Sequence, residues 1–293
     1  MKAEDLDIQQ LLGSGGFAYV YQARLCNNFI SKNCIVRKSL TQQQLSYNNC
    51  NQSNDIAVKI ISKEKLRKDN IAHRIVNEIK LHRKLNHSSF VKLFDFFEDA
   101  NNVYMCLELC NYGNFYHHIK QNGPLSEYEA GYVMYQLIDG LNYLHHQGIV
   151  HRDLKLSNIL ISNTRPMSQV GQSRQFFMQE NITLFDIKVC DFGLAASIEN
   201  PDEEHFTLCG TPNYIAPEIA SQQAHGFPVD IWSAGCLFYS MVEGALPFDQ
   251  GEDVAATLRR VVNGEYKQPS NLTSTGHDFL HRLLEMVCFF FFS

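Results

Sequence analysis

The stretch His151-Arg152-Asp153-Leu154-Lys155-Leu156-Ser157-Asn158 places a carboxylate, a cation and an amide within six residues. A strand-like run, Ile187-Lys188-Val189-Cys190, follows downstream and delivers Asp191-Phe192-Gly193. Asp153, Asn158 and Asp191 are hard oxygen donors of the kind that suit a hard cation and a hydroxyl nucleophile. Further on, Thr207-Leu208-Cys209-Gly210-Thr211-Pro212-Asn213-Tyr214 runs into Ala216-Pro217-Glu218.

Working toward the N-terminus, Lys59 interrupts the apolar run Ile56-Ala57-Val58-Lys59-Ile60-Ile61. A cation in such a strand must meet a charge or reach outward. Glu78 lies beside Ile75 and Ile79, at the edge of a helical apolar face, and also needs a partner. The two together predict one ion pair from strand to helix. Upstream, Leu12-Gly13-Ser14-Gly15-Gly16-Phe17-Ala18-Tyr19-Val20 is rich in glycine, which lets backbone N–H groups approach phosphate oxygens. Strand formers follow it, so a flap between two strands is predicted and not the strand-to-helix turn of a dinucleotide site. No G-x-x-x-x-G-K-[ST] occurs.

The rest of the chain bounds these readings. It has 293 residues, 45% of them hydrophobic and 12% aromatic, which is enough for a packed core and excludes disorder as the dominant state. The formal charge of −6 argues against nonspecific phosphate binding as the main activity. Residues 1–110 hold 15 Lys and Arg against 11 Asp and Glu, and residues 111–293 hold 10 against 20. The first part is strand-like and the second helical in pattern, so a small β-rich lobe followed by a larger α-rich lobe is expected. Asp69 is predicted to cap a helix carrying Ile71, Ile75 and Ile79. Ser126-Glu127-Tyr128-Glu129 reads as a capping box for a helix stopping near Gly148. His117-His118 and His145-His146 read as helix-surface pairs. Nine scattered cysteines without a C-x-x-C pair, and no secretory signal, imply reduced thiols. No window reaches the length of a membrane helix. Residues 41–54, with eight Gln or Asn in fourteen positions, read as a polar insert within about 26–54, and 162–186 as a second irregular insert.

The motifs, in this order, resemble those of a eukaryotic protein kinase catalytic domain. The resemblance covers about residues 6–287. It implies an α+β, bilobal fold, with an N-lobe of about 6–107 and a C-lobe of about 111–287. Gly15-Gly16-Phe17-Ala18 and the segment Thr207–Glu218 resemble the polo-like kinase family. Asn77-Glu78-Ile79-Lys80-Leu81-His82, Ser221-Gln222-Gln223-Ala224-His225-Gly226 and Asp230-Ile231-Trp232-Ser233-Ala234-Gly235-Cys236 resemble its centriole-duplication branch.

The resemblance implies ATP and Mg²⁺ as cofactors and Ser/Thr hydroxyls of proteins as acceptors. Leu12, Gly13, Ser14, Gly15, Gly16, Phe17, Ala18 and Val20 then form the phosphate flap. Lys59 meets the α/β-phosphates and pairs with Glu78. Leu107 falls at the gatekeeper position, and Glu108 and Cys110 at the adenine hinge. Asp153 accepts the substrate proton, Lys155 steadies the transferred group, and Asn158 and Asp191 hold Mg²⁺. Thr207 is the regulatory phosphosite, read by Arg152, and its phosphorylation is expected to order 194–212. Thr211 is its rival, with a structural family role near Asp153 and Lys155. The alternatives are a nucleotide-binding pseudokinase scaffold and a kinase of another family, such as the Aurora group. A cytoplasmic location, with the centrosome or centriole as a destination, follows from the branch, as does a monomer, since no polo box is present. No nucleic acid or membrane partner is expected.

Three departures stand out. Ala18 replaces the third flap glycine, which polo-like kinases tolerate, and Lys155 stands where this branch usually has Thr. Gly13 and Lys59 lie 46 positions apart and Asp153 and Asp191 lie 38 apart, both beyond the usual kinase spacing. At the far end the chain enters Met286-Val287-Cys288-Phe289-Phe290-Phe291-Phe292 where the family's late Arg, the partner of the Glu matching Glu218, is expected. The expectation is a truncated or mispredicted C-terminal end. A buried Glu218 left unpaired would cost about 3–5 kcal/mol.

Overall fold

The computed structural model describes residues 1–15, 18–26, 54–167, 182–198, 209–251 and 253–285. Its backbone divides into two compact units, Met1–Asn86 with Val91–Cys110, and His87–Phe90 with Asn111–Ser293.

The first unit is an antiparallel sheet of five strands, β1 (Leu6–Ser14), β2 (Ala18–Leu25), β3 (Asp55–Ser62), β4 (Leu93–Glu98) and β5 (Asn102–Leu107), ordered β1-β2-β3-β5-β4. Side chains alternate across a pleated strand, so β3 serves two cores. Ile56 and Val58 pack with Leu6, Ala23, Leu25, Tyr104 and Cys106 on one face. Ile61 faces the other way and packs with Met105 and with Leu66, Ile71 and Ile75. Lys59 shares the face of Ile61. Leu66 lies on α1 (Lys63–Lys68), and Ile75 on α2 (Ala72–His82).

Asp69 does not cap α2. It is the C-cap of α1, and α2 starts after Ile71 with no side-chain cap. Asn70 takes a left-handed φ of 52° between the two helices, so the turn there belongs to the end of α1.

The second unit is mainly helical: α3 (Phe115–Asn122), α4 (Glu127–His146), α5 (Pro217–Ala220), α6 (Pro228–Glu243), α7 (Val254–Asn263) and α8 (Ser274–Leu283). The Ser126 hydroxyl accepts from Glu129 N, and the Glu129 carboxylate accepts from Ser126 N, at 3.3 and 2.9 Å. This capping box opens α4, which ends at Gln147 before Gly148 at φ 68°. Nearly every side chain of α6 is buried, and Trp232 stacks on Phe248.

Two short ladders complete this unit: β6 (Ile149–Val150) with β9 (Ala196–Ser197), and β7 (Ile159–Pro166) with β8 (Thr183–Val189). The second ladder corrects the expected irregular stretch 162–186, because its pairing runs out to Pro166 and Thr183. Arg165 holds it shut, with the guanidinium 2.7 Å from both Asp186 Oδ2 and Tyr132 Oη. The other expected insert, 26–54, lies almost wholly outside the described residues, as do Met286-Val287-Cys288 and the Phe run.

Candidate active site

In the first unit the flap is a hairpin, with Gly13 paired to Val20 and Ser14 to Tyr19. Gly15 N donates to Ala18 O at 2.8 Å. Among the described residues, a Cβ added at Gly13 would touch nothing within 4 Å, and one at Gly15 only the Ala18 oxygen at 3.8 Å. Neither glycine is required by packing or by a left-handed backbone, so the open space above them is available to something else. Gly16 and Phe17 lie outside the described residues.

Lys59 sits in register between Val20 and Met105. Its Nζ lies 2.7 Å from Glu78 Oε1, with the two side chains 13% and 2% exposed. Glu78 is therefore fully buried on the inner face of α2, not at the edge of it. Leu107 ends β5, and Glu108 N donates to Lys92 O at 2.9 Å while its carboxylate accepts from Lys92 N at 3.2 Å. Cys110 is half-buried.

In the second unit Asp153 lies at the centre of a polar cluster. Lys155 Nζ is 2.7 Å from Asp153 Oδ2 and 3.1 Å from Thr211 Oγ1, and Thr211 donates to Asp153 Oδ1 at 3.0 Å. Asn158 Nδ2 donates to the Asp153 carbonyl at 2.9 Å and approaches Oδ2 at 3.3 Å. Cys190 N donates to Asn158 O at 3.0 Å, which ties the strand before Asp191 to Asn158. Asp191 stands exposed at φ 68°, while its neighbour Phe192 is fully buried against His151 and Phe90, with ring centroids 5.1 and 5.7 Å apart. The buried ring thus anchors a backbone that turns its carboxylate outward.

Asp191 and Asn158 together offer oxygen donors of the right kind for Mg²⁺, which is typically held by one or two carboxylates, phosphate oxygens and waters. No group of three or more His, Cys, Asp or Glu that could hold a metal occurs among the described residues. The donor set therefore fits a metal shared with phosphate better than an all-protein cage.

Two residues to which the sequence motifs assigned no role in the site hold this cluster in place. Asp230, on α6, is fully buried and accepts from His151 N and Arg152 N, each at 2.9 Å. His145 Nε2 lies 2.9 Å from the same carboxylate. His145 is thus not a surface residue of α4. The readable signal was a lone Asp in the apolar run of α6. The bonds hold Arg152 at φ 66°, a left-handed conformation rare for a residue with a side chain. Arg152 Nε also donates to Leu194 O at 2.8 Å.

Gly210 is a glycine for a local reason: φ is 105°, and a Cβ would come within 3.0 Å of the Arg152 carbonyl. Thr211 follows it directly. Ser233, also on α6, donates to the Tyr214 carbonyl at 2.8 Å, and burial pushes the Tyr214 phenol up to about 12. One helix therefore anchors both the Asp153 loop and the Thr211 segment. Glu218 is half-buried, its pKa raised by desolvation, and it makes no ion pair among the described residues. Thr207 lies outside the described residues.

Beside Lys155 and Thr211 the second unit has a groove of about 760 Å³, lined also by Tyr116, Leu156, Tyr214 and Leu246. No helix among the described residues is long and apolar enough to cross a membrane.

Comparison with known proteins agrees with this geometry. The chain is 36% identical over 285 residues to the serine/threonine-protein kinase PLK4 of Danio rerio, covering 97% of this chain and 26% of that protein. It is 37% identical over 284 residues to the PLK4 of Drosophila persimilis, covering 96% and 31%, and 37% identical to that of Xenopus tropicalis, covering 97% and 25%. The chain thus spans about a quarter to a third of the length of these curated relatives. Residues 45–288 match the protein kinase domain. The chain belongs to the protein kinase family.

Proposed function

We propose that this chain is an active, Mg²⁺- and ATP-dependent serine/threonine protein kinase of the polo-like kinase 4 kind, with its kinase domain spanning 6–287. The observation that carries the reading is the triangle of Asp153, Lys155 and Thr211. In it a buried carboxylate is held within 3.1 Å of a cation and a hydroxyl.

A substrate Ser or Thr hydroxyl that replaces one of these partners meets a carboxylate oxygen already aimed by its neighbours. Asp153 accepts the hydroxyl proton as the oxygen attacks the γ-phosphorus and the bond from that phosphorus to the β–γ bridging oxygen breaks, with ADP as the leaving group. Lys155 holds the charge on the transferred group. Because phosphoryl transfer passes through a loose transition state, positioning matters more than an unusual acidity of Asp153. Lys59 binds the α/β-phosphates while Glu78 holds its ammonium in place. The flap, Leu12 to Val20, offers backbone N–H groups where Gly13 and Gly15 leave open space, and the backbone of Glu108 and Cys110 meets adenine. Asn158 and Asp191 hold Mg²⁺, which neutralises phosphate charge when bound. The groove beside Lys155 leaves room for the residues flanking the acceptor.

Radiolabelled phosphate transfer tests the reading, with Asp153→Asn as the control. The variant is expected to lose activity by about 10²–10⁴-fold. Equal signal from both proteins overturns the enzyme reading in favour of a scaffold. Thr207 is the proposed phosphosite, with Arg152 as its reader; a Thr207→Ala protein as active as its parent removes it. The role in centriole duplication rests on the PLK4 relatives, and staining of a tagged chain away from centrioles counts against it.

A further inference from the structure

The second unit carries a groove that the phosphotransfer reading does not use. It has a volume of about 680 Å³ and runs between α4 and α8, with Phe238 of α6 beneath. On α4 it is lined by Gly131, Met134, Tyr135 and Ile138, which recur at the three- and four-residue spacing of one helix face. On α8 it is lined by Phe279, whose ring meets that of Phe238 edge-on at 5.2 Å. Met134 and Phe238 are buried and close the groove from below. An apolar cavity of about 150 Å³ is enough to hold benzene, so this groove has room for several phenyl rings.

Two features of α4 on this face are not explained by its own packing. Gly131 sits inside the helix, where glycine is a poorer residue than alanine. Its φ is not left-handed, and among the described residues a Cβ there would meet nothing within 4 Å. Neither the backbone nor a neighbour asks for glycine, and the missing side chain deepens the groove. One turn further on, Tyr135 is 73% exposed, more than any other large hydrophobic side chain among the described residues.

The carboxylates on the rim are already engaged. Glu127 accepts from Thr273 N and Oγ1, each at 2.7 Å, and Asp139 stands 3.2 Å from His87 Nε2. What the groove offers between them is mainly apolar and aromatic.

The sequence that continues α8 has the matching chemistry. Met286-Val287-Cys288-Phe289-Phe290-Phe291-Phe292-Ser293 holds no charged side chain and four successive aromatic rings. At about 150–250 Å² each, those rings carry about 600–1,000 Å² of surface, more than the largest apolar patch a monomer usually exposes.

We propose that residues 286–293 fold back beside α8 and that their phenyl rings fill the groove between α4 and α8. The reach is sufficient. Phe279 stands five residues before Leu284, about 8 Å along the helix, and eight extended residues span about 27 Å. The groove residues of α4, from Glu127 to Asn142, cover about 22 Å. The occupant is tethered to one wall of its own site, and a short tether gives an effective concentration in the millimolar range. A second copy or a free partner has no such advantage. The space above Gly131 admits a ring against the α4 backbone, and Tyr135 covers it from the solvent side.

The test uses the 293-residue chain with Tyr135 replaced by the photoreactive p-benzoylphenylalanine, an aromatic for an exposed aromatic. Equal amounts of ¹⁵N-labelled and unlabelled protein are mixed and irradiated, and the cross-links are mapped by mass spectrometry. Cross-links from position 135 to residues 286–293 within one chain are expected, with a yield that does not change on dilution. Phe290→Ser with Phe291→Ser removes rings from the segment, and Gly131→Leu fills the open space with a good helix former. Each should lower the yield by about fivefold or more. Circular dichroism melts confirm that both variants fold. Absence of cross-links to 286–293, or a yield that survives either variant, overturns the proposal. Cross-links that join labelled to unlabelled chains assign the groove to a second copy and overturn it too.

Discussion

Asp230 is the residue whose loss should do most damage for the least change in volume. Its carboxylate accepts two backbone N–H groups, His151 N and Arg152 N, and stands 2.9 Å from His145 Nε2 in a fully buried position. Asp230→Ala strands both N–H groups away from water. Each buried orphan costs about 1–3 kcal/mol, so the loss is about 4 kcal/mol against a domain stability of about 5–15 kcal/mol. Asp230→Asn keeps an acceptor for one N–H but turns an amide N–H toward the other, and should cost about half as much. The activity effect is separate. Arg152 is held at φ 66°, a conformation costing about 1–2 kcal/mol, and the two bonds to Asp230 oppose that cost. Without them the loop relaxes and Asp153 moves with it, and a misplacement of about 1 Å can cost about 10²-fold in rate. Urea unfolding measures the first term and single-turnover phosphate transfer the second, with kcat falling more than KM rises. A double-mutant cycle with His145→Ala should show coupling, because both residues share one carboxylate. Asp230→Ala within about 1 kcal/mol of the parent and within about twofold in kcat would refute the reasoning.

Three other outcomes are expected. Lys59→Met leaves Glu78 buried without its cation and should cost about 3–5 kcal/mol, whereas Lys59→Met with Glu78→Met should recover much of that stability and still not bind ATP; thermal melts with and without nucleotide separate the two effects. Gly235→Ala puts a Cβ 2.7 Å from Leu284 Cδ2 and 2.9 Å from Leu283 Cβ, so α6 and the end of α8 must separate, at a cost of about 1–3 kcal/mol in a denaturant titration. Burial raises the Glu218 pKa above its ordinary value, so the folded state holds that proton more tightly and stability is lost as pH rises through the raised pKa. Glu218→Gln should therefore melt higher than the parent at neutral pH and converge with it below the ordinary carboxyl range, and a constant difference across that window would show that the charge is not the cause.

What the sequence made legible follows from how locally each feature is encoded. The Asp153-to-Asn158 segment carries its own chemistry in six residues, and an ordered series of such segments points to a candidate active site without any long-range inference. Ser126 and Glu129 satisfy each other across one helical turn, so their capping box is readable. Asp69 misled because Asp is a turn residue as well as an N-cap, and here it stands in the turn that ends α1, just before the left-handed Asn70 that decides the matter. Asp230 and His145 escaped because their meaning lies 85 positions apart in the chain and exists only once α4 and α6 pack together. A surface reading of His145-His146 was the natural choice from polarity alone, and tertiary packing overrode it.

The two inserts show why unusual spacing left the site motifs intact. Leu25 N donates to Asn54 O at 3.0 Å, and Met167 N donates to Ile182 O at 2.9 Å. Each excursion thus leaves and re-enters through a backbone hydrogen bond that closes a strand ladder. Beyond those bonds, Arg24 pairs with Asp55 at 2.9 Å across the first ladder, and Arg165 with Asp186 at 2.7 Å across the second. Closure entropy grows only as the logarithm of loop length, so stretching a three-residue turn to about 28 residues costs about 2 kcal/mol and to about 14 residues about 1.4 kcal/mol. Those costs fall on the ends of the ladders and not on Lys59 or Asp191, which are fixed by register and by Phe192. Spacing in sequence is therefore a poor guide to whether this site is intact. The closing hydrogen bonds at residues 25–54 and 167–182 are the better one, because they carry the geometry past the inserted length.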